Sequence, residues 1–386
     1  MRQSGGRGSR AAAIAIAIAA LAAAAVWGYR MHRDQVFPYR LARWAHDAIS
    51  PARLPHRFRP GRPDPADAAR SREAIDGLAR LPYLQGYRAR TEGAAVRIHD
   101  RAGFQDGLNL YTSGHAPVAT LMDMEGRVVR RWTVDPSKAF PGLVLEGDDR
   151  ERDRFLRVAH LLPDGGVLAL VDQIGLVRLD ADARVLWATR ARLHHDFVLD
   201  PRGGAWALLR GKRSAPDLYP RGPIWEDFVA EFAIDGRILC KVSILDAFRR
   251  SSYAPLLARV PREADIFHTN SLQVLDGSLE SRSPLFRKGN LLLSIHHLDV
   301  LAILDPEQGR IVWALSGQWR AQHSARLLGI GHLLLFDNLG SMHAASRALE
   351  VDPFTQEILW RYGGAEHEDL LSETNGFVQR LDNGNT

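Results

Sequence analysis

The hydrophobic pattern of this chain is short-ranged. From about residue 90 onward, brief apolar runs alternate with turn signals, as in LLPDGGVLALV (161–171), LDPRGGAWALL (199–209), NLLLSI (290–295) and GHLLLFDN (331–338). Runs of this length, bounded by Gly, Pro, Asp and Asn, predict strands rather than helices. A second unit recurs after each of them, a turn followed by a strand that closes on tryptophan. It reads DMEGRVVRRW (123–132), DADARVLW (180–187), DGRILC (235–240), DPEQGRIVW (305–313) and DPFTQEILW (352–360). Asp and Gly set the hairpin turn and β-branched residues follow it. Cys240 takes the tryptophan slot of the third copy, which predicts a packing residue rather than a nucleophile.

The closing positions 132, 187, 240, 313 and 360 are spaced by 55, 53, 73 and 47 residues. Four short strands need about 40–50 residues per blade of a β-propeller. The long interval requires an insertion, and DAFRRSSYAPLLARVPREA (246–264) supplies one with helical potential. The fold class predicted is all-β, a six-bladed β-propeller over residues 91–386 whose last blade is incomplete. Five blades are visible and a sixth begins at NGFVQRLDNGNT (375–386). Either a strand from around 90–110 closes the ring, or the sequence lacks its true C-terminus; the second is the expectation here.

Residues 1–33 predict a signal peptide or membrane anchor. Arg2, Arg7 and Arg10 precede an unbroken apolar run from Ala11 to Trp27, and Arg30 and Arg33 follow. The run is intermediate between a signal peptide and a membrane helix. The basic N-terminal flank favours that end inside and the body outside. Such a segment places the propeller on the outer side of the cytoplasmic membrane, anchored or released. Residues 34–90 read as a linker with short helices: PARLPHRFRPGRPDP (51–65) is rich in Pro and Arg, and 66–81 has helical periodicity.

Composition narrows the chemistry. The net charge of +5 comes from scattered arginines balanced by 45 acids, with no basic run interleaved with aromatics, which argues against a nucleic-acid partner. One cysteine excludes an intrachain disulfide. A Walker-type phosphate loop, a GxSxG elbow and an HExxH helix are all missing from the sequence. Histidine is the chemistry that remains, 15 in all. His194-His195-Asp196 opens the third repeat, His268 and Asn270 the fourth, and Gln322-His323 the fifth, while His296-His297 follows the LLLS strand. Strands that open blades run nearest the central channel, so these clusters are expected to converge. In an extended chain His268 and Asn270 would face the same way. A shared pocket of imidazoles serves either metal binding or acid–base and nucleophilic chemistry on an anion. Asp196 alone among acids adjoins the clusters, which weakens the metal reading.

FHTNSLQVL (267–275), LLLSIHHLDVLAILDPEQGRIVWALSG (291–317), QHSARLLGIGHLLLFDN (322–338) and SRALEVDPFTQEILWRYGG (346–364) resemble successive motifs of the bacterial arylsulfate sulfotransferases, and GLNLYTSGHAPVATLMDMEGRVVRRW (107–132) resembles their opening repeat. The resemblance implies an exported six-bladed propeller that moves a sulfuryl group from a phenolic sulfate to a phenol without a nucleotide donor or other cofactor. It implies that His323 is the nucleophile, transiently sulfated in a ping-pong cycle, and that His268 and Asn270 hold the sulfuryl oxygens. A further channel histidine corresponds to His195, or else to His194. The family usually carries arginine where this sequence has His296, and an imidazole replaces that cation only when protonated. Ser324 stands where relatives have Asp or Thr. Two other functions are compatible with the repeats: a hydrolytic or metal-dependent propeller, and a non-catalytic platform for ligands or proteins.

Overall fold

The computed structural model describes residues 96, 103–114, 116–143, 155–201, 203–340, 345–363 and 370–386, all within one compact unit, Gly77–Thr386. The predicted anchor and linker lie outside the described residues. Among the described residues, no helix is long and apolar enough to cross a membrane.

The repeats fold into five antiparallel sheets, the blades of an all-β propeller. Blade 1 has three strands, β1 (Asn109–Thr112), β2 (Val118–Met122) and β3 (Val128–Thr133). Blade 2 runs from β4 (Leu156–Leu161) through β5 (Val167–Val171) and β6 (Gly175–Leu179) to β7 (Val185–Arg190). Blade 3 comprises β8 (Leu193–Leu199), β9 (Ala205–Ser214), β10 (Pro223–Phe232) and β11 (Ile238–Ser243). Blade 4 comprises β12 (Thr269–Val274), β13 (Leu291–Ile295), β14 (Val300–Asp305) and β15 (Arg310–Leu315). Blade 5 comprises β16 (His323–Leu327), β17 (Leu333–Asp337), β18 (Arg347–Val351) and β19 (Ile358–Gly363). Each blade is a meander in chain order. The opening strands pack on one another in sequence, β1 on β4, β4 on β8, β8 on β12 and β12 on β16, so they line the interior.

Most middle strands are built on apolar runs because both of their faces are covered, although β9 and β10 of blade 3 also carry charged residues. In β5, Val167, Ala169 and Val171 enter the core shared with blade 1, while Leu168 and Leu170 enter the core shared with blade 3. In β13 and β14 the same period of two sends Leu291, Leu293, Val300 and Ala302 towards blade 3, and Leu292, Leu301 and Ile303 towards blade 5. At about 1.5–3 kcal/mol per buried large apolar side chain, these interblade layers are the main stabilising term.

The tryptophan slot has its own logic. Trp187 on the outer strand of blade 2 donates its indole N–H to the carbonyl of Ile234 (3.1 Å) and lies against Gly236 in the next blade's turn. Gly236 has φ +85°, and a Cβ there would sit 2.5 Å from the indole. Glycine is therefore required by both the turn and the packing. Cys240 departs from its expected role: it is exposed, with its Sγ 3.6 Å from Glu231 Oε2. The thiol is too short to bridge to a neighbouring blade as the indole does.

The 73-residue interval holds a helix, α1 (Ile244–Arg249), capped by Ser243, and a 3₁₀ turn at Ala254–Arg259. At the C-terminal end, residues 376–386 carry no strand. They run beside the inner strand of blade 5, where Ser324 Oγ donates to the Val378 carbonyl (3.3 Å). They also reach the start of blade 1, where Asn383 N–H donates to Gln105 Oε1 (3.0 Å) and Asn385 Nδ2 to the Gly103 carbonyl (2.6 Å). Among the described residues five sheets are formed, and these hydrogen bonds tie the C-terminal segment to the residues that lead into blade 1.

Candidate active site

The inner strands do not run straight. β4, β8, β12 and β16 each break register against their neighbour, between Leu156 and Val158, Leu193 and Phe197, Thr269 and Ser271, and His323 and Arg326. Left-handed residues accompany three of these breaks: His195 (φ 61°), His268 (φ 51°) and Ser324 (φ 54°). For non-glycine residues this conformation costs on the order of 1–3 kcal/mol each, and bulges of this kind re-aim side chains. The expected alternation of His268 and Asn270 is thereby broken. His268 bonds Asp265, whereas Asn270 Nδ2 donates to the carbonyl of Gln322 (2.8 Å).

The re-aimed histidines meet. Ring centroids are 5.1 Å apart for His194 and His195, 4.6 Å for His195 and His268, 5.3 Å for His268 and His296, and 5.4 Å for His296 and His323. His297 joins at 5.1 Å from His268 and 5.0 Å from His296. Three blades thus deliver one continuous row of imidazoles, as the repeat positions predict. Of the two channel histidines, His195 is the one in contact with His268. His194 is fully buried behind it, with Nδ1 2.8 Å from His195 Nδ1 and Nε2 3.4 Å from the buried Asp227 Oδ1.

His323 is the best-defined member. Its Nδ1 faces two acceptors, Asn338 Oδ1 at 2.8 Å and the Ala321 carbonyl at 3.1 Å. Asn338 cannot be turned round, because its Nδ2 donates to the carbonyls of Ser372 (2.6 Å) and Asn375 (2.8 Å). Nδ1 therefore carries the proton, and Nε2 holds the lone pair. That Nε2 is buried and has no hydrogen-bond partner among the described residues. Burial pushes the His323 pKa down to about 4, against the opposing effect of Asn338, so the ring is neutral near pH 7. The preceding Gln322 clamps the start of β16 to blade 4. Its Nε2 donates to Ser294 Oγ (3.1 Å) and to the Val300 carbonyl (3.2 Å), and its own carbonyl accepts from Asn270 and Ser294.

His268 has the opposite setting. Its Nδ1 lies 2.6 Å from Asp265 Oδ2, and its backbone N–H donates to Asp265 Oδ1 at 3.1 Å. Burial works against the ionised form of Asp265, yet the hydrogen bond from His268 and the charges of His268 and Arg210 hold its carboxyl well below the usual range. Asp265 is thus the row's carboxylate partner. Asp196, the acid adjacent in sequence, serves as a brace instead: Oδ2 accepts from Leu272 N–H and from Arg326 Nη2, both at 3.0 Å. His296 does not supply a cation. Burial takes its pKa down to about 3, so at neutral pH it is an uncharged imidazole in the middle of the row.

Sequence reasoning missed Asp265, Asn338 and Asp227. Asp265 stands three residues before His268, and Asn338 ends the quoted GHLLLFDN motif, so both were within reach. Asp227 contacts its partners only through the fold. No group of His, Cys, Asp and Glu among the described residues is arranged to hold a metal ion. An apolar cavity of about 290 Å³ between blades 2 and 3, lined by Leu168, Trp187, Phe232 and Ile234 among others, contains none of these histidines.

Fold and site together define a β-propeller with a buried histidine pocket built from its opening strands and from the turn that follows β13. The chain belongs to the arylsulfotransferase (ASST) family, whose model matches residues 159–386. No curated protein matches it. Solved structures similar to it include a protein of unknown function from Bacteroides caccae, 12% identical over 67% of this chain and 73% of that one, with a TM-score of 0.43. The β-propeller domain of Myceliophteria thermophila Cps50 (Swd1) is 11% identical over 66% of this chain and 74% of that one, with a TM-score of 0.39. The WD40 β-propeller domain of Doa1 is 10% identical over 60% of this chain, which spans 58% of that one, with a TM-score of 0.36.

Proposed function

We propose that this protein is a nucleotide-independent aryl sulfotransferase that works through a sulfated His323. The observation that carries the reading is the tautomer of His323: a neutral ring with Nδ1–H bound to Asn338 and a lone pair on an unpartnered, buried Nε2. That is the state a nucleophilic imidazole needs.

In the first half-reaction Nε2 attacks sulfur of an aryl sulfate. The N–S bond forms, the S–O bond to the ring breaks, and the electron pair leaves on the phenolic oxygen. Positive charge develops on the imidazole, and the carbonyl dipoles of Asn338 and Ala321 stabilise it through Nδ1–H. The departing oxygen takes a proton from His268, the histidine with an ionised carboxylate to balance a second proton. In the second half-reaction an acceptor phenol returns its proton to His268 and attacks sulfur, and the N–S bond breaks. Both halves use one pocket and the protons balance, which gives ping-pong kinetics.

The same reading takes the complete ring to be six-bladed. It also takes the propeller to lie outside the cytoplasmic membrane, anchored or released by the 11–27 segment, a location supported by that segment's basic N-terminal flank. The test is transfer from para-nitrophenyl sulfate to a phenol, followed by release of nitrophenol. Wild-type protein turns over and His323→Ala, correctly folded, does not. Unchanged turnover in the variant rejects the mechanism, and an inert wild type across a broad donor panel points to a binding platform.

A further inference from the structure

The pocket faces a charge problem. An aryl sulfate brings a negative charge spread over the oxygens around sulfur, yet burial holds His194, His195, His296 and His323 uncharged at neutral pH. Among the described residues, the charges of two guanidinium groups, Arg210 and Arg157, bear on the row. Arg210 is committed elsewhere, with Nη2 3.3 Å from Asp265 Oδ2 and 3.6 Å from Asp227 Oδ1, one cation between two carboxylates.

Arg157 is placed differently. It occupies the register break of β4, between Leu156 and Val158, on the opening strand that packs against the one bearing His194 and His195. This is the blade 2 counterpart of the bulges that aim histidines from blades 3, 4 and 5. Thr112 Oγ1 in blade 1 donates to the Arg157 carbonyl (3.0 Å) and ties down its backbone. Among the described residues the guanidinium itself makes no hydrogen bond. Its ion pair there is loose, Nε at 3.7 Å from Asp172 Oδ1, and the side chain keeps 21% of its surface accessible. Asp172 is a poor counter-ion, since burial raises its pKa. Behind burial, the charge of Arg157 contributes to lowering the pKa of His194, His195 and His323.

We propose that Arg157 is the anion-binding cation of the pocket and holds the sulfuryl oxygens of the donor. The proposal rests on the sulfotransfer reading only for the identity of the anion. A planar guanidinium offers a fork of N–H donors that matches such oxygens and stays charged at every relevant pH. Unlike an imidazole, it needs no protonation to do so.

Calorimetric titration with para-toluenesulfonate tests this without turnover, because its sulfur is bonded to carbon and cannot be transferred. Arg157→Gln is expected to weaken binding by roughly ten- to a hundredfold, the range for a charged hydrogen bond. Arg157→Lys, which keeps the charge and loses the fork, is expected to weaken it less and guards against a folding defect in the first variant. Sulfonate affinity unchanged in Arg157→Gln, or no sulfonate binding by wild type, overturns the proposal. Arginine-dependent binding in a protein that transfers nothing from any aryl sulfate upholds it while rejecting sulfotransfer, so the two failures are distinguishable.

Discussion

Asn338 Oδ1 lies 2.8 Å from His323 Nδ1, and the amide that presents it is locked by two backbone carbonyls. The pair joins adjacent strands of blade 5, β16 and the end of β17. Its effect is chemical rather than architectural, because it decides which ring nitrogen carries the proton. Asn338→Ala leaves the Ala321 carbonyl as the remaining acceptor and frees the ring to rotate. We expect transfer to fall by about ten- to a hundredfold with the melting temperature changed by only a few degrees, the cost of one hydrogen bond. Steady-state kinetics beside thermal melting checks it, and full activity in the variant contradicts it.

The pH dependence follows from burial. His323 is protonated only near pH 4, so the acid limb of the donor half-reaction should fall there and not near the ordinary imidazole value. Stability has the same sign. His296 and His323 have folded pKa values of about 3 and 4, below those of the unfolded chain, so the unfolded state binds more protons in between. Stability is fully present above about pH 6.5 and is lost as pH falls through the window down to those values. The expected loss is on the order of a few kcal/mol by pH 4. Chemical denaturation at stepped pH measures it. His296→Gln should flatten the slope, and a slope identical to wild type refutes the assignment.

Asp265→Asn removes the carboxylate that balances a second proton on His268. The loss should depend on the leaving group. Sulfates of weakly acidic phenols need the proton and should slow by roughly a hundredfold, the scale of general acid catalysis. Nitrophenyl sulfate, whose phenolate leaves readily, should slow far less. Equal losses across a donor series would show that Asp265 acts only on the structure.

The fold was legible in the sequence where the signal was local. The turn-plus-tryptophan unit marks the outer hairpin of each blade, and short two-sided apolar runs mark the buried middle strands. Histidines at blade openings pointed to convergence, and His195, His268, His296 and His323 do converge. What stayed hidden depends on conformation or distance. His195, His268 and Ser324 adopt left-handed geometry with no glycine to announce it, so the aim of each side chain was unreadable. Asp227 meets Thr269 across 42 residues, and Asp196 meets Arg326 across 130. Cys240 fitted the pattern of a packing slot yet is exposed, because pattern carries no information on side-chain reach.

Sulfotransfer through His323 requires a covalent bond between its Nε2 and sulfur. Brief incubation with para-nitrophenyl sulfate in the absence of acceptor, then peptide mass spectrometry under non-acidic conditions, tests it directly. One added sulfuryl group is expected on the peptide containing His323, localised to that histidine, discharged by added phenol and missing in His323→Ala. Active protein that forms no adduct on His323, or forms it on another residue, rules out transfer through a sulfated His323.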